Sequence, residues 1–222
     1  MDGTTDICEH IDYTAPDKNR CALLTIDVQN DFVLPGAPAE IAGAYGLVPA
    51  MRDLLLAFRE AELPIVHVVR LYKPDGSNAE LCRRALIERG NPVVSPGAPG
   101  AELLDDLKPD RGVQLDSHLL LSGKLQQVGK REWIMYKPRW GAFYRTGLEW
   151  RLRELGVHTI VVSGCNFPNC PRTTIYEASE RDFRVVMVTD AVSGLYAQAL
   201  KEMSGIGVRL MSTAEFRAWC KA

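Results

Sequence analysis

The alternation of two hydrophobic periods along the chain constrains its fold more than any other feature. "CALLTIDV", "PIVHVVRL", "EWIMY", "HTIVVSG" and "RVVMVT" are short apolar runs, typical of strands buried on both faces, and "VRLMST" is a possible sixth strand. Between them, "VPAMRDLLLAF" and "GLEWRLREL" carry apolar residues at helical spacing. This alternation predicts a three-layer α/β/α fold whose central sheet is mainly parallel and has about six strands.

The 222 residues suit one domain. We expect an irregular N-terminal arm over residues 1–20 and a single domain over residues 21–222. Residues 71–128 interrupt the alternation with a stretch rich in proline and glycine, in which a helix is predicted near residues 78–89. An excursion of this length is typical of a functional lid or a subunit contact.

Composition excludes several classes of function. The formal net charge of −2 does not favour binding to nucleic acid or to an anionic membrane. No apolar run approaches the roughly 20 residues of a membrane helix, and the polar start of the chain lacks the pattern of a signal peptide. We therefore expect a cytoplasmic protein with mostly free thiols. Its six cysteines are Cys8, Cys21, Cys82, Cys165, Cys170 and Cys220.

Polar residues follow several of the predicted strands. Asp27, Arg70 and Lys137 each come at a strand end, and Cys165 and Cys170 follow a fourth strand. Ligands of parallel sheets bind beyond the carboxyl ends of the strands, so these residues are candidates for one site. Each also has a purely structural interpretation.

Those alternatives stay open from the residues alone. The carboxylate of Asp27 could cap a loop, and Asp31 is a rival for its role. A lone lysine such as Lys137 most often extends along the surface into water. A free cysteine is most often a small buried hydrophobe, and this interpretation suits Cys165, at the strand end, better than Cys170.

The segment "CNFPNCPRTT" places Cys170 just before a predicted helix that begins at Pro171. The N-terminus of a helix favours an anion, and a nearby lysine ammonium does the same, so we expect the pKa of this thiol to be lowered. The C-x4-C spacing matches neither a zinc knuckle nor a thioredoxin-type redox pair. The four histidines are scattered in the sequence, and His67, inside an apolar strand, suits a hydrogen-bonded core position.

Three blocks resemble the isochorismatase-like cysteine hydrolases, a group that includes nicotinamidases and N-carbamoylsarcosine amidase. The blocks are "LLTIDVQNDF", "KPRWGAFYRTGLEWRLRELGVHTIVVSG" and "CNFPNCPRTTIYEASERDFRVVMVTDAVSG", which span most of residues 21–195 apart from the excursion. The resemblance implies a catalytic triad of Asp27, Lys137 and Cys170. It also implies a cis peptide between Cys165 and Asn166, and an oxyanion hole formed by the N–H groups of Asn166 and Cys170.

The resemblance further implies a cysteine-dependent hydrolase that cleaves a C–N bond of a small amide, ureide or lactam through a thioester. Its partner would be a small-molecule substrate, with no cofactor, and the chain would form a homo-oligomer, a dimer or a tetramer. Two alternatives remain: a catalytically silent thiol sensor or binding protein, and a vinyl-ether or ester hydrolase on the same fold. Isochorismatases proper lack the cysteine, which weighs against vinyl-ether chemistry.

The sequence departs from the family pattern around the nucleophile and after the second strand. Pro171 replaces the usual valine, and Phe167-Pro168 replaces a small polar pair, so the substrate stays open. Nicotinamidases carry a metal-binding D-x-H after the second strand, whereas this chain reads "VVRLYKPDGSN", and we expect no metal.

The residues predicted to line the substrate pocket lie just after strand ends or within the matched blocks. They are Phe32, Arg70, Tyr72, Trp140, Phe143 and Phe167. Core packing is an equally good interpretation of each aromatic residue. The Arg70 guanidinium could bind a substrate carboxylate, or it could belong to a structural ion pair.

Overall fold

The computed structural model describes residues 12–221, and a seven-stranded sheet lies at its centre. The strands are β1 (Cys21–Ile26), β2 (Ile65–Val69), β3 (Gln126–Gly129), β4 (Glu132–Tyr136), β5 (Thr159–Gly164), β6 (Arg184–Val192) and β7 (Arg209–Met211). Their spatial order is β3-β4-β2-β1-β5-β6-β7. All neighbouring strands run parallel except β3, which pairs with β4 in the antiparallel sense. The predicted mainly parallel sheet is confirmed. The additional strand is β3, whose polar sequence "QQVG" gives no strand pattern.

Helices cover both faces of the sheet, which confirms the predicted three-layer architecture. They are α1 (Asn30–Val33), α2 (Val48–Glu60), α3 (Leu81–Glu88), α4 (Ser117–Leu121), α5 (Leu148–Glu154), α6 (Cys170–Ser179), α7 (Ala197–Gly205) and α8 (Thr213–Lys221). Four short 3-10 turns lie at Lys18–Arg20, Tyr45–Leu47, Pro99–Ala101 and Asp105–Leu107. Within residues 12–221, no helix is long and apolar enough to span a bilayer.

The pleat of β1 divides the apolar residues between two cores. Leu23 belongs to a core built with α2 and α8, whereas Leu24 and Ile26 belong to a second core built with α5, α6 and α7. Successive side chains of a strand point to opposite faces, so a strand covered on both sides must be apolar throughout. All six residues of β1 are buried.

The first core is closed by an aromatic stack between two helices. The rings of Phe58 and Phe216 lie 5.3 Å apart and nearly parallel, and both are fully buried. Each buried ring contributes roughly 1.5–3 kcal/mol through the area that it removes from water. This contact holds the C-terminal helix α8 on the same face as α2.

The excursion packs against the first core and is part of the domain. Its buried apolar side chains include Val94, Leu103, Leu107 and Leu120, which belong to the same cluster as α2. Residue Leu103 also forms an antiparallel bridge with Gln29, just beyond β1. Residues 1–11 of the predicted arm lie outside the described residues. Its remainder, residues 12–20, ends in a 3-10 turn.

A buried polar network lies between β1, β2, α2 and the start of β4. His67 bonds to the Thr25 hydroxyl at 2.7 Å and to the Glu132 carboxylate at 2.7 Å, so its predicted role as a hydrogen-bonded core histidine is confirmed. Arg59 donates to both oxygens of Glu132, at 3.0 and 2.7 Å. Burial alone would raise the pKa of Glu132, but these partners lower it from 4.5 to about 2.

We predict that this network stabilises the protein above about pH 4.5. Because the pKa of Glu132 is lower in the folded chain, the stabilisation is present above the ordinary value of 4.5 and is lost as the pH falls toward about 2. The difference corresponds to roughly 3 kcal/mol. Glu132→Gln should therefore lower the free energy of unfolding in urea at pH 7, and the deficit should shrink on acidification.

The matched control is Glu62→Gln, which removes a carboxylate that pairs with Lys130 at 2.7 Å on the exposed surface. Its effect should be small, since solvent screens such pairs. A deficit of Glu132→Gln that stays constant from pH 7 to pH 3 would show that the carboxylate charge is not the stabilising feature.

Candidate active site

Asp27 lies directly beyond β1 with its side chain in a pocket at the carboxyl end of the sheet. Its N–H donates to the Val68 carbonyl at 2.8 Å, which ties it to β2. The residue has a φ of +53°, a conformation that aspartate tolerates better than most residues. It is 5% exposed, and its Oδ1 is buried without a hydrogen-bond partner among residues 12–221. An acceptor of this kind is available to take up a proton.

Lys137 follows β4 and is fully buried, so the alternative interpretation, a lysine that extends along the surface, is wrong. Its Nζ lies 2.9 Å from Asp27 Oδ2 and 3.3 Å from Cys170 Sγ, and it also donates to the Arg139 carbonyl at 3.3 Å. Burial would lower its pKa, but Asp27 and Cys170 raise it on balance. The lysine therefore remains an ammonium that joins the carboxylate to the thiol.

Cys170 is the first residue of α6 and is 8% exposed, with Pro171 in the first helical turn as predicted. Burial raises the pKa of its thiol from 9.0 to about 12, and Asp27 raises it as well, while Lys137 opposes them. The expectation of a lowered pKa is therefore wrong. Desolvation by the surrounding core outweighs the cation, and the resting site holds a thiol.

The loop before α6 presents two backbone N–H groups that donate to no acceptor within residues 12–221. They belong to Asn166 and Cys170, whereas the N–H groups of their neighbours Cys165, Phe167 and Asn169 are all hydrogen-bonded, at 2.8–3.0 Å. The peptide bond between Cys165 and Asn166 is cis, where the resemblance placed one. The two predicted oxyanion-hole donors thus stand in one loop beside the thiol.

Two glycines that the sequence reasoning missed allow this loop its position. Gly164 ends β5 with a φ of +114°, and a Cβ there would lie 2.2 Å from the Ile26 carbonyl oxygen. Gly194 has a φ of +72°, and a Cβ there would lie 2.0 Å from Asn166 Oδ1. Both positions require glycine, because a side chain would collide with its neighbours there and because the backbone has a positive φ. The sequence signal was a serine-glycine pair at the end of β5 and another directly after β6.

Four of the six predicted pocket residues do line the pocket around these groups. They are Phe32, Arg70, Tyr72 and Trp140. The cavity at the centre of the pocket measures about 80 Å³, which leaves room for a small substrate only. Glu80 and Arg83 of the excursion and Asn169 of the loop before α6 also line the pocket. None of the three has a sequence pattern that could have marked it.

The structure places Phe143 and Phe167 in the second core, away from the pocket lining. The ring centre of Phe143 lies 5.7 Å from that of Phe183, and the fully buried ring of Phe167 packs edge-to-face with Tyr196, with 6.0 Å between the ring centres. Both follow strand ends, but the sheet turns their side chains toward α5–α7. The alternative interpretation, core packing, describes both.

Arg70 lines the pocket, but its guanidinium is engaged in a structural ion pair. It is 2% exposed, lies 3.2 Å from the Glu80 carboxylate and donates to the Asn78 carbonyl at 2.7 Å and the Tyr136 hydroxyl at 3.1 Å. Tyr72 donates to the other oxygen of Glu80 at 2.8 Å. Of the two interpretations of Arg70, a contact with a substrate carboxylate and a structural ion pair, this arrangement corresponds to the ion pair.

Asp31, the rival of Asp27, lies on α1 and has a structural role. Its Oδ2 accepts a hydrogen bond from the Val94 N–H at 2.6 Å, and its carboxylate packs on Gly100. Asp31 therefore fastens the excursion to the segment after β1. It does not line the pocket of Asp27.

The donor set does not fit the metal that the D-x-H motif of nicotinamidases would imply. The residues after β2 bring an arginine and a tyrosine into the pocket, and its lining holds three cations, Arg70, Arg83 and Lys137. Metal cations in proteins prefer carboxylate, imidazole and thiolate ligands. The positive charges of arginine and lysine side chains repel them. Across the described part of the chain, no three His, Cys, Asp or Glu side chains cluster as ligands. The five cysteines described are free thiols.

Comparison with known proteins places this geometry in a family. A family model described as Isochorismatase domain matches residues 21–118 and 121–215. A probable inactive nicotinamidase of Arabidopsis thaliana is 30% identical over 88% of this chain and 93% of its own length. Maleamate amidohydrolase of Pseudomonas putida is 26% identical over 77% of this chain and 71% of its own length.

A solved structure gives the same result for the fold. The crystal structure of an isochorismatase family protein from Desulfovibrio vulgaris covers 91% of this chain and 99% of its own, with a TM-score of 0.77 and 35% sequence identity. The residues that match the family model include β1, β4, β5 and the start of α6, and with them Asp27, Lys137 and Cys170. This chain belongs to the isochorismatase family.

Proposed function

We propose that the protein is a cysteine-dependent hydrolase that cleaves a C–N bond of a small amide, ureide or lactam through a thioester. The observation that carries the proposal is the position of the Lys137 ammonium between Asp27 and Cys170, at 2.9 and 3.3 Å. A nucleophile, a proton acceptor and a fixed charge then meet in one pocket. The amidohydrolases among its relatives support the same reaction class.

In the first step, the Cys170 thiol attacks the substrate carbonyl while Asp27 takes its proton. Because the pKa of the thiol is raised to about 12, the sulfur reacts as the proton leaves, and a standing thiolate is not required. The charge of Lys137 stabilises the developing thiolate. The N–H groups of Asn166 and Cys170 face the oxyanion, where one such donor is typically worth about 3–4 kcal/mol.

In the second step, the tetrahedral adduct collapses and the C–N bond breaks. Asp27 returns its proton to the leaving nitrogen, which restores the carboxylate and leaves an acyl thioester on Cys170. Water then attacks the thioester with Asp27 as general base, which releases the acid and the thiol. Every proton passes through Asp27, so Lys137 acts through its charge alone.

A catalytically silent thiol protein on the same fold is the second candidate, and one observation favours it. A relative at 30% identity is named a probable inactive nicotinamidase. Release of ammonia or amine from a panel of small amides, ureides and lactams separates the two functions. Esters and vinyl ethers in the same panel test the remaining hydrolase chemistry.

Cys170→Ala should abolish turnover of any amide that the wild-type protein hydrolyses, because it removes the sulfur that forms the acyl intermediate. The assay is ammonia release, with the melting temperature as the check on folding. Cys82→Ala is the matched control, since Cys82 is exposed on α3 and outside this pocket. Turnover by Cys170→Ala at the wild-type rate would exclude the thioester.

Asp27→Asn should lower kcat by about 10²–10⁴-fold, the usual contribution of general acid–base catalysis. The same change removes a charge that raises the pKa of Cys170, so alkylation of the thiol at neutral pH should become faster. Opposite changes in the two rates identify a proton shuttle. A variant that keeps most of its turnover would assign the proton transfer to another group.

The alkylation rate of Cys170 should rise steadily from pH 6 to pH 10 without reaching a plateau. The reason is that its pKa is raised to about 12, so the thiolate fraction still grows with pH throughout this range. Peptide mass spectrometry of the native protein measures the rate, with exposed Cys82 as the internal reference. A plateau below pH 8 would show a standing thiolate instead.

A further inference from the structure

A surface groove adjoins the pocket of Cys170, and the mechanism does not use it. The groove lies between the first residues of α3, the loop after Lys137 and α6, and its volume is about 540 Å³. Trp140 and Glu80 line both the groove and the pocket, so the two spaces meet at these side chains. The cavity of the pocket, about 80 Å³, has room for a small group only, and a longer ligand must extend beyond it.

Three large apolar side chains of the groove are exposed to solvent. Leu81 is 83% exposed, Tyr144 42% and Trp140 37%. Exposed apolar side chains scattered singly are normal on a protein surface, whereas a group of them that lines a concave surface is typical of a binding site. An apolar ligand in the groove would remove part of their area from water, which favours binding.

The polar groups that border the groove are already engaged within the protein. Glu177 Oε2 accepts a hydrogen bond from the Phe143 N–H at 2.8 Å, and the Thr173 hydroxyl donates to the Asn169 carbonyl at 2.8 Å. The Arg139 guanidinium donates to two backbone carbonyls, at 3.0 and 2.6 Å. These bonds fix the walls of the groove and leave its apolar surface available to a ligand.

The groove continues along the helix that begins with the nucleophile. Thr173 and Glu177 follow Cys170 by three and seven positions on α6, so the three side chains lie on one face of the helix. Asp27 lines the pocket and not the groove. In the mechanism that we propose, Asp27 protonates the leaving nitrogen, so this nitrogen belongs in the small cavity and the acyl group extends toward the groove.

We propose that the groove binds an apolar acyl chain of the substrate, so that the protein acts on primary amides of acids whose alkyl or arylalkyl chain extends beyond the pocket. This choice of substrate rests on the proposed function, whereas binding of an apolar chain beside Cys170 can be tested without turnover. Each methylene that leaves water for the groove should raise kcat/KM by about threefold. Complete burial of a methylene would give slightly more, but the groove is open to solvent.

The first test measures alkylation of Cys170 by the N-butyl and N-hexyl derivatives of iodoacetamide. In each reaction the sulfur displaces iodide and forms a thioether, so the two reagents differ only in the length of the chain. Each rate, measured by peptide mass spectrometry, is divided by the rate of the same reagent with glutathione, which cancels the reactivity of the reagent itself. The resulting N-hexyl to N-butyl ratio should be about 10, since the chains differ by two methylenes.

Leu81→Ser and Tyr144→Ser should each lower this ratio by about threefold, because each removes one apolar wall of the groove. Trp150→Ser is the matched control and should leave the ratio unchanged, since Trp150 is a 66% exposed aromatic residue on α5 that does not line the groove. The melting temperature of each variant checks its folding. A wild-type ratio of 1, or a ratio that neither groove variant lowers, would overturn the proposal.

Hydrolysis then separates the groove from the function itself. The value of kcat/KM should rise by about tenfold from butanamide to hexanamide and again to octanamide, and Leu81→Ser should reduce both steps. N-hexylacetamide is an isomer of octanamide that carries its chain on the leaving nitrogen, and its kcat/KM, measured as amine release, should be lower than that of octanamide. If the alkylation ratio depends on Leu81 but no amide is hydrolysed, the groove stands and the hydrolase function fails. Hydrolysis with equal kcat/KM at every chain length would refute the role of the groove alone.

A second copy of the chain is the other occupant that an apolar groove can take. Sedimentation of the wild-type protein and of Leu81→Ser distinguishes the two occupants. If Leu81→Ser dissociates an oligomer and the wild-type alkylation ratio is 1, the groove belongs to a subunit interface and the proposal is overturned. If the oligomeric state is the same in both proteins and the ratio falls only in the variant, the groove binds the chain of the ligand.

Discussion

The buried ammonium of Lys137 is the interaction on which the site depends. A lysine with no solvent exposure is costly unless its charge is compensated, and here a carboxylate, a sulfur and a backbone carbonyl surround it within 3.3 Å. These contacts fix the lysine and, through it, the separation of Asp27 from Cys170. In the mechanism that we propose, this charge, which is difficult to bury, stabilises the thiolate that develops during attack.

The sheet brings these groups together from distant parts of the sequence. The strands β4, β2, β1 and β5 lie side by side and parallel, so the residues that follow them meet at one edge. The chain leaves β1 toward β2 on one side and leaves β5 toward β6 on the other, which opens a crevice between the ends of β1 and β5. Asp27 and the loop of Cys170 lie on either side of that crevice, and Gly164 lets the loop approach the end of β1 closely.

The parts of the fold that depend on local pattern could be predicted from the sequence. Apolar β-branched runs gave the parallel strands, and Pro171 placed the start of α6 within one residue. Polar residues at strand ends, together with the family resemblance, gave Asp27, Lys137 and Cys170. The positions of β3, Phe143 and Phe167 were not predicted, because a polar strand has no period and a ring after a strand can turn to either face.

The electrostatics of the site could not be predicted, because they depend on how far the excursion and the cores bury the charged groups from water. A helix N-terminus and a lysine favour a thiolate, yet burial of Cys170 is the larger effect and raises its pKa to about 12. Glu80 neutralises Arg70 from ten positions away, and neither partner is marked by its neighbours in sequence. A buried thiol with a raised pKa has little thiolate at neutral pH, so it is protected from oxidation and stray alkylation. In the mechanism that we propose, the proton acceptor Asp27 lies inside the same pocket, so reactivity would be coupled to the arrival of a carbonyl at the sulfur.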